Sequence, residues 1–186
     1  MRQLLTGLSA IVLFVYPFAI YFGINKFGLN LVGGLLIAAL LLRIFTTNKT
    51  PLKEFKFLTL TTGTVGIALI TLGMVFKQYG WLQFYPVAVN LCMLCVFGLS
   101  LKQPQSIIER LARLQEPDLP ASGVVYTRKV TIIWCAFFTL NAAIALYTCF
   151  LPIKIWTLYN GLISYLLAGC LLIGEWLVRQ FVRKEH

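Results

Sequence analysis

Long, uninterrupted apolar segments constrain the fold of this chain more than any other feature. A helix that crosses the hydrocarbon layer of a bilayer needs about 20 mainly apolar residues. Of the residues, 59% are hydrophobic and 12% are charged, which is too much apolar surface for a soluble domain of this size to bury. The sequence therefore predicts an all-α fold, a polytopic transmembrane helical bundle formed by one integral membrane domain, 1–186. Stretches of spanning length lie at 4–24, 57–76, 81–101, 130–151 and 156–178.

A sixth apolar segment, 29–45, decides the number of spans. It is shorter than the others and crosses the bilayer only if Asn30 and Arg43 reach the two interfaces. With six spans both termini are cytoplasmic, and 13 of the 16 Lys and Arg residues fall on the cytoplasmic side, where such residues concentrate. With five spans this segment only dips into the inner leaflet and the N-terminus lies outside, but the charge distribution is equally uneven. Segment length favours six spans.

The formal net charge of +10 indicates contact with anionic lipid headgroups rather than with nucleic acid. The basic residues flank the apolar segments, so membrane orientation explains their positions. No nucleic-acid partner is expected.

The longest polar segment, 102–129, is a predicted cytoplasmic amphipathic connector. Ser106 followed by Glu109 fits a capping box, in which the hydroxyl accepts from a backbone N–H and the carboxylate reaches back to the cap. A helix from about 107 to 115 follows, with an apolar face that suits the inner headgroup layer.

The connector carries the basic residues that are candidates for contact with a partner or a lipid headgroup. One interpretation is a linker that rests on the bilayer with its guanidinium groups near phosphates; the other is a docking surface for a cytoplasmic partner or an acidic substrate group. The candidate residues are Arg110, Arg113, Arg128 and Lys129.

Three asparagines and one glutamate inside apolar segments are candidate intramembrane polar residues. The asparagines can hydrogen-bond between helices, or line a site for the head of a lipid-like or polyene chain. Glu175 is an intramembrane acid and a candidate for proton coupling, although an ion pair with Arg179 one turn later would also account for its presence. These candidate intramembrane residues are Asn90, Asn141, Asn160 and Glu175.

The sequence predicts no catalytic, cofactor-binding or metal-binding residue. Cys92 and Cys95 share a helix face, but apolar surroundings disfavour the thiolate, so helix packing explains them better than redox chemistry. His186 is the sole histidine, which leaves no ligand set for a metal.

Several strings resemble a known family. "FYPVAVNLCMLCVFGLSL", "SIIERLARLQEPDLP", "YTRKVTIIWCAFFTLNAAIA" and "WTLYNGLISYLLAGCLLIGEWLVR" are similar to a family of small bacterial inner-membrane proteins found with aryl-polyene and fatty-acid-like biosynthesis genes. The resemblance covers about 81–179. A more distant likeness, over nearly the whole chain, is to the intracellular septation protein A family. Both likenesses imply a location in the bacterial inner (cytoplasmic) membrane and no residue roles.

The function expected from this reading is that of a non-enzymatic accessory or scaffold protein in cell-envelope lipid or aryl-polyene assembly. Its expected partners are membrane lipids with anionic headgroups and envelope-biosynthesis or division proteins. The alternatives are a transporter or flippase subunit for an acyl or polyene lipid, and a septation or envelope-biogenesis protein. An intramembrane enzyme has the least support, because no reactive group is visibly activated.

Overall fold

The computed structural model describes residues 16–46, 53–78 and 80–184. Within these ranges the regular elements are helices and no strand occurs, which confirms the predicted all-α fold. Of the predicted first span, 4–24, the part before residue 16 lies outside the described residues.

Seven helical elements follow one another along the described chain, and two of them contain a π-helical turn. In α1, residues 16–27, this turn is Ala19–Gly23; in α7, residues 153–184, it is Tyr159–Ile163. The other elements are α2 (Leu29–Thr46), α3 (Lys53–Val75), α4 (Gly80–Ser100, with one non-helical residue at Phe84), α5 (Ile107–Arg113) and α6 (Ala121–Thr148).

Five helices of the described chain are long and apolar enough to cross a bilayer, so the chain is a multi-pass membrane protein. They are α2, α3, α4, α6 and α7. The 18 residues of α2 rise about 27 Å at 1.5 Å per residue, close to the thickness of the hydrocarbon layer. The count of six spans stays a prediction, because much of the first segment is not described.

The long helix α6 begins at Ala121, nine residues before the predicted start of its span at 130. Pro120 is its N-cap, with extended backbone at ψ 161°. A proline cannot continue a helix that precedes it but is well tolerated where one begins. The last residues of the connector therefore form the first turns of α6.

Helices α2 and α3 pack antiparallel through glycines of both. Ile44, near the end of α2, lies against Gly63, and Leu40 lies against Gly66 one turn further along α3. A Cβ atom on Gly66 would lie 2.8 Å from Leu40 Cδ1 and 2.8 Å from Tyr85 Cε2. Small residues let the backbones of membrane helices approach closely, and here they do so where α2, α3 and α4 meet.

The buried apolar side chains form two clusters, one towards each end of the bundle. The first joins α1 to α4 and the start of α7, and contains Tyr16, Ile20, Val32, Leu36, Leu40, Ile70, Leu82, Tyr85 and Trp156. The second joins α4, α5 and α6, and contains Phe97, Ile107, Val130, Trp134 and Phe138.

Large apolar side chains also cover the outside of the bundle. Phe150 is 75% exposed, Leu35 65% and Ile173 62%. Exposed side chains of this size are costly in water but match the lipid tails of a bilayer.

A cavity between the helices as the candidate functional site

A cavity of about 700 Å³ runs between the helices and is lined by residues from all seven elements. Its wall is mainly apolar. One part of the wall carries the asparagines, and the opposite part lies beside the short helix α5. We call these parts the asparagine end and the α5 end.

Aromatic side chains of α4 and α6 form a large part of the cavity wall, and they belong to the same apolar cluster as Ile107 of α5. Phe97 and Phe138 meet edge to face, with ring centroids 5.1 Å apart. The ring centroid of Trp134 lies 5.5 Å from that of Phe138 and 5.6 Å from that of Phe137. Aromatic pairs at these separations are favourable and hold the rings in fixed positions. The rings give this part of the cavity an apolar surface.

The asparagine end is built on a hydrogen-bond chain between three helices. Asn141 Nδ2 on α6 donates to Asn90 Oδ1 on α4 at 3.0 Å, and Tyr159 Oη on α7 donates to Asn141 Oδ1 at 2.7 Å. Asn90 Nδ2 in turn donates to the Pro86 carbonyl at 2.8 Å. All three are polar contacts inside apolar segments, and the two that run between helices fix how α4, α6 and α7 meet.

Asn160, the second residue of the π-helical turn in α7, also lines this end. Its amide donates to Thr148 Oγ1 at 3.0 Å and to the Trp156 carbonyl at 2.9 Å. π-Helical turns inside α-helices occur frequently at functional sites. Here the turn brings both Asn160 and Ser164 to the cavity wall.

Charged side chains line the cavity at three positions. Arg43 comes from α2, and Glu175 and Arg179 come from α7. Tyr126 Oη on α6 donates to the Glu175 backbone carbonyl at 3.1 Å, which joins α6 to the end of α7. Ion pairs within 4 Å form elsewhere in the described chain, but not between Glu175 and Arg179.

The helix α5 lies against the bundle and closes one end of the cavity. Its N-cap Ser106 accepts from the Glu109 backbone N–H at 3.4 Å, and the Ile107 N–H donates to Ser100 Oγ at 3.0 Å. Ile107 is fully buried. Glu109 does not complete the predicted capping box, since its carboxylate accepts from Arg113 Nε at 3.0 Å. The apolar face of α5 thus contacts protein at Ile107.

The basic candidates of the connector lie outside the cavity wall and, except for Lys129, make contacts within the chain. Arg110 donates to the Glu54 carboxylate on α3 and to the Gln103 side chain. Arg113 also donates to the Pro117 carbonyl at 2.8 Å. Arg128 donates to the Leu101 carbonyl at 2.8 Å, and Lys129 is exposed.

None of the described cysteines lies on the cavity wall. Cys92 is half-buried and Cys95 is exposed, and both are free thiols. Cys149 Sγ, near the end of α6, donates to the Gln83 carbonyl at 3.2 Å. Within the described ranges no three His, Cys, Asp or Glu residues come together as a group that could hold a metal ion.

The cavity therefore unites all four candidate intramembrane residues, Asn90, Asn141, Asn160 and Glu175, and none of the four basic candidates of the connector. Sequence reasoning missed Arg43 and Arg179 as wall residues, because basic residues at helix ends are normally topology signals. It also missed Tyr159, which donates to Asn141 and does not itself line the cavity. Arg43 did carry a usable signal, since it interrupts an apolar segment.

The fold and the cavity define a class: a multi-pass helical membrane protein that encloses a mainly apolar cavity with polar and charged side chains on its wall. Comparison of the chain with protein-family models, with curated proteins and with solved structures finds no match.

Proposed function

We propose that the protein binds one acyl or polyene lipid in the cavity between its helices and carries it within the membrane, as a transporter or flippase subunit. The observation that supports this function is the cavity itself. Its volume, about 700 Å³, lies in the range of about 300–1,000 Å³ that is usual for small-molecule sites.

The chemistry of the wall matches an amphiphile. The aromatic part of the wall, with Phe97, Trp134 and Phe138, offers contacts to a hydrocarbon or polyene chain. A few polar and charged side chains, among them Asn90, Asn141 and Glu175, interrupt this apolar wall and can contact a headgroup or a polar chain terminus. Lipid tails are the most abundant apolar chains around a cavity inside a bilayer, so they are natural ligands for it.

The location and the pathway are part of the proposal. We place the protein in the bacterial inner membrane, in envelope-lipid or aryl-polyene assembly, on the resemblance of 81–179 to proteins of that setting. A role in septation or envelope biogenesis is the more distant alternative.

The scaffold function stays a prediction. It relies on Arg110 and Arg113 as a contact surface, and both guanidinium groups are engaged within the chain. In-cell crosslinking with mass spectrometry tests it: recovery of biosynthetic or division proteins, lost on Arg110→Glu with Arg113→Glu, would favour the scaffold over the carrier.

Photocrosslinking tests the carrier function. The purified protein, in lipid nanodiscs, is irradiated with a photoreactive fatty-acid analogue, and the labelled residues are mapped by mass spectrometry. We expect labelling of the aromatic cavity wall, and we expect an excess of unlabelled lipid to abolish it by competition. Ala168→Trp, which places a large side chain on the wall, should remove most of this labelling.

Leu167→Trp is the matched control, because Leu167 is the neighbouring residue on α7, is 46% exposed and does not line the cavity. It should leave the competed labelling unchanged. Labelling confined to the outer, lipid-facing surface in the unsubstituted protein would refute the proposal.

A further inference from the structure

Resting on the proposed function, we infer that the ligand is an amphiphile with an uncharged head that both donates and accepts hydrogen bonds, as a hydroxyl group does. The head lies at the asparagine end of the cavity, where Tyr85 and Asn160 bind it, and the chain extends along the aromatic wall towards α5. The inference follows from two polar groups on the cavity wall that bond to no described residue.

Tyr85 of α4 places a buried hydroxyl group on the cavity wall. Its ring lies against that of Tyr16, with centroids 4.7 Å apart, and the residue is 5% exposed. Within the described chain, however, its hydroxyl forms no hydrogen bond. The hydroxyl of Tyr16, by contrast, donates to the Leu82 carbonyl at 2.8 Å. A buried tyrosine hydroxyl usually has a partner, so that of Tyr85 is available to a ligand.

Asn160 of α7 places a second such group on the wall. The residue is 4% exposed, and its amide nitrogen donates to Thr148 Oγ1 and to the Trp156 carbonyl. Its side-chain oxygen Oδ1 accepts from no described residue. An amide oxygen can only accept a hydrogen bond, so its partner in a ligand must be a donor.

The two groups lie at the same end of the cavity, although they belong to different helices. Tyr16 of α1 contacts Tyr85, and the next residue, Pro17, lies beside Gly161, where a Cβ atom would be 3.3 Å from it. Gly161 directly follows Asn160 in the chain. The start of α1 therefore connects the surroundings of Tyr85 with those of Asn160.

The chemistry of these two groups selects an uncharged head. The Tyr85 hydroxyl can donate or accept, whereas Asn160 Oδ1 only accepts. An ionised carboxylate cannot donate to Asn160, and burying an ion among apolar side chains is costly unless it is paired. Arg43, which interacts electrostatically with Tyr85, already has an interaction within the chain. A hydroxyl is the smallest head that can bond both Tyr85 and Asn160.

The aromatic wall gives the direction of the chain. Phe97 follows Asn90 by seven residues on α4, and Trp134 precedes Asn141 by seven residues on α6. Because Asn90 pairs with Asn141 and Phe97 with Trp134, both rings lie about 10 Å from the asparagine pair in the same direction. Both rings pack in one cluster with Ile107 of α5. A chain whose head is at the asparagine end therefore runs along these rings towards α5.

The test compares photoreactive probes that share one 16-carbon chain and differ in the head: a hydroxyl, a methyl ether, a carboxylate, a quaternary ammonium or a plain methyl group. The signal is labelling of the cavity that an excess of the unlabelled compound abolishes by competition. We expect the hydroxyl probe to label most strongly, roughly fivefold above the methyl ether, which accepts a hydrogen bond but cannot donate one to Asn160. The carboxylate and ammonium probes should also label less than the hydroxyl probe.

Tyr85→Phe removes one hydroxyl and keeps the ring. It should lower labelling by the hydroxyl probe roughly fivefold and leave labelling by the methyl-ended probe unchanged, which also shows that the variant is folded. Tyr147→Phe is the matched control, because Tyr147 is 65% exposed and does not line the cavity. It should change neither signal. If Tyr85→Phe lowers both signals equally, the hydroxyl and ether probes in the unsubstituted protein decide.

Moving the photoreactive group along the chain tests the orientation. Next to the head, it should label residues around Tyr85 and Asn160. At the far end of the chain, it should label the face of α5 that lines the cavity, which includes Ile108 and Leu111. The reverse pattern would overturn the orientation. An alkylphenol probe, compared with the alcohol, identifies whether the preferred hydroxyl is aromatic or aliphatic.

The outcomes separate the two proposals. If none of the probes labels the cavity, the carrier function fails. If all heads give equal labelling, or if the carboxylate or the ammonium probe labels most strongly, the cavity still binds a chain and the uncharged head is refuted.

Discussion

At the scale of single residues, Asn141 joins three helices through one amide, because it donates to Asn90 and accepts from Tyr159. All three side chains are at least 91% buried. The sequence identifies the two asparagines as polar positions in apolar segments. It does not pair them, because the partner depends on which faces of α4 and α6 meet.

Asn141→Ala should lower the free energy of unfolding by about 1–2 kcal/mol, since it leaves Asn90 Oδ1 and the Tyr159 hydroxyl without these partners. Denaturant unfolding in micelles measures the loss. Thr139→Ala is the control: this exposed residue of α6 bonds only the Cys135 carbonyl of its own helix. Equal effects of the two substitutions would show that the chain of hydrogen bonds contributes nothing specific.

Gly66→Ala should destabilise the protein, because its methyl group would lie 2.8 Å from Leu40 and from Tyr85 and push α3 away from both neighbours. A loss of about 1–3 kcal/mol is expected for such overpacking. The matched substitution Gly98→Ala meets no atom within 4 Å. It should be neutral or stabilise α4 by up to about 1 kcal/mol through helix propensity. Thermal unfolding of both variants in the same detergent measures these effects. A Gly66→Ala protein more stable than the unsubstituted protein would contradict the packing described.

Among the helices, the short α5 is held in place by burial of its apolar side chain Ile107 against neighbouring helices. The sequence indicates its cap at Ser106 and its end near Pro117, because capping and proline act locally. It predicts an apolar face but not what covers that face. The structure covers Ile107 with the second apolar cluster, whereas Leu114 stays 55% exposed.

Ile107→Ala should lower the free energy of unfolding by about 2–5 kcal/mol, as expected for truncating a fully buried side chain. It should also speed protease cleavage within 102–120, since α5 loses its main anchor. Leu114→Ala, at the exposed end of the same helix, should change stability by less than about 0.5 kcal/mol. A helix that lies on headgroups instead of protein would give similar, small effects for both.

At the scale of the whole molecule, the number of spans fixes which faces of the protein meet the cytoplasm. α1 packs in the first apolar cluster beside α2, joined to it by a turn at Gly28 with φ 80°. The left-handed conformation at Gly28 is one that glycine adopts at little cost. Six spans place both ends of the chain on the cytoplasmic side.

A reporter that is active only in the cytoplasm should therefore be active when fused to either terminus of the protein. The length of the segment 29–45, which favours a sixth span, is the reason for the N-terminus, and the excess of basic residues in the cytoplasmic segments is the reason for the C-terminus. A reporter active at the C-terminus but inactive at the N-terminus would establish five spans. The same fusions with Arg43 replaced by Gln show whether this residue acts in topology as well as in the cavity.

The length and hydropathy of the apolar segments were enough to predict a membrane protein, an all-α fold and the approximate positions of the helices. Both properties of a segment are set by the bilayer that surrounds it and do not depend on the neighbouring helices. The sequence also indicated Asn90, Asn141, Asn160 and Glu175, since polar groups are conspicuous in apolar segments. Only the tertiary structure placed these side chains with Arg43 on one cavity. A cavity arises where helices distant in the sequence fail to fill the space between them, and that depends on which faces meet, a property of packing that no single segment contains.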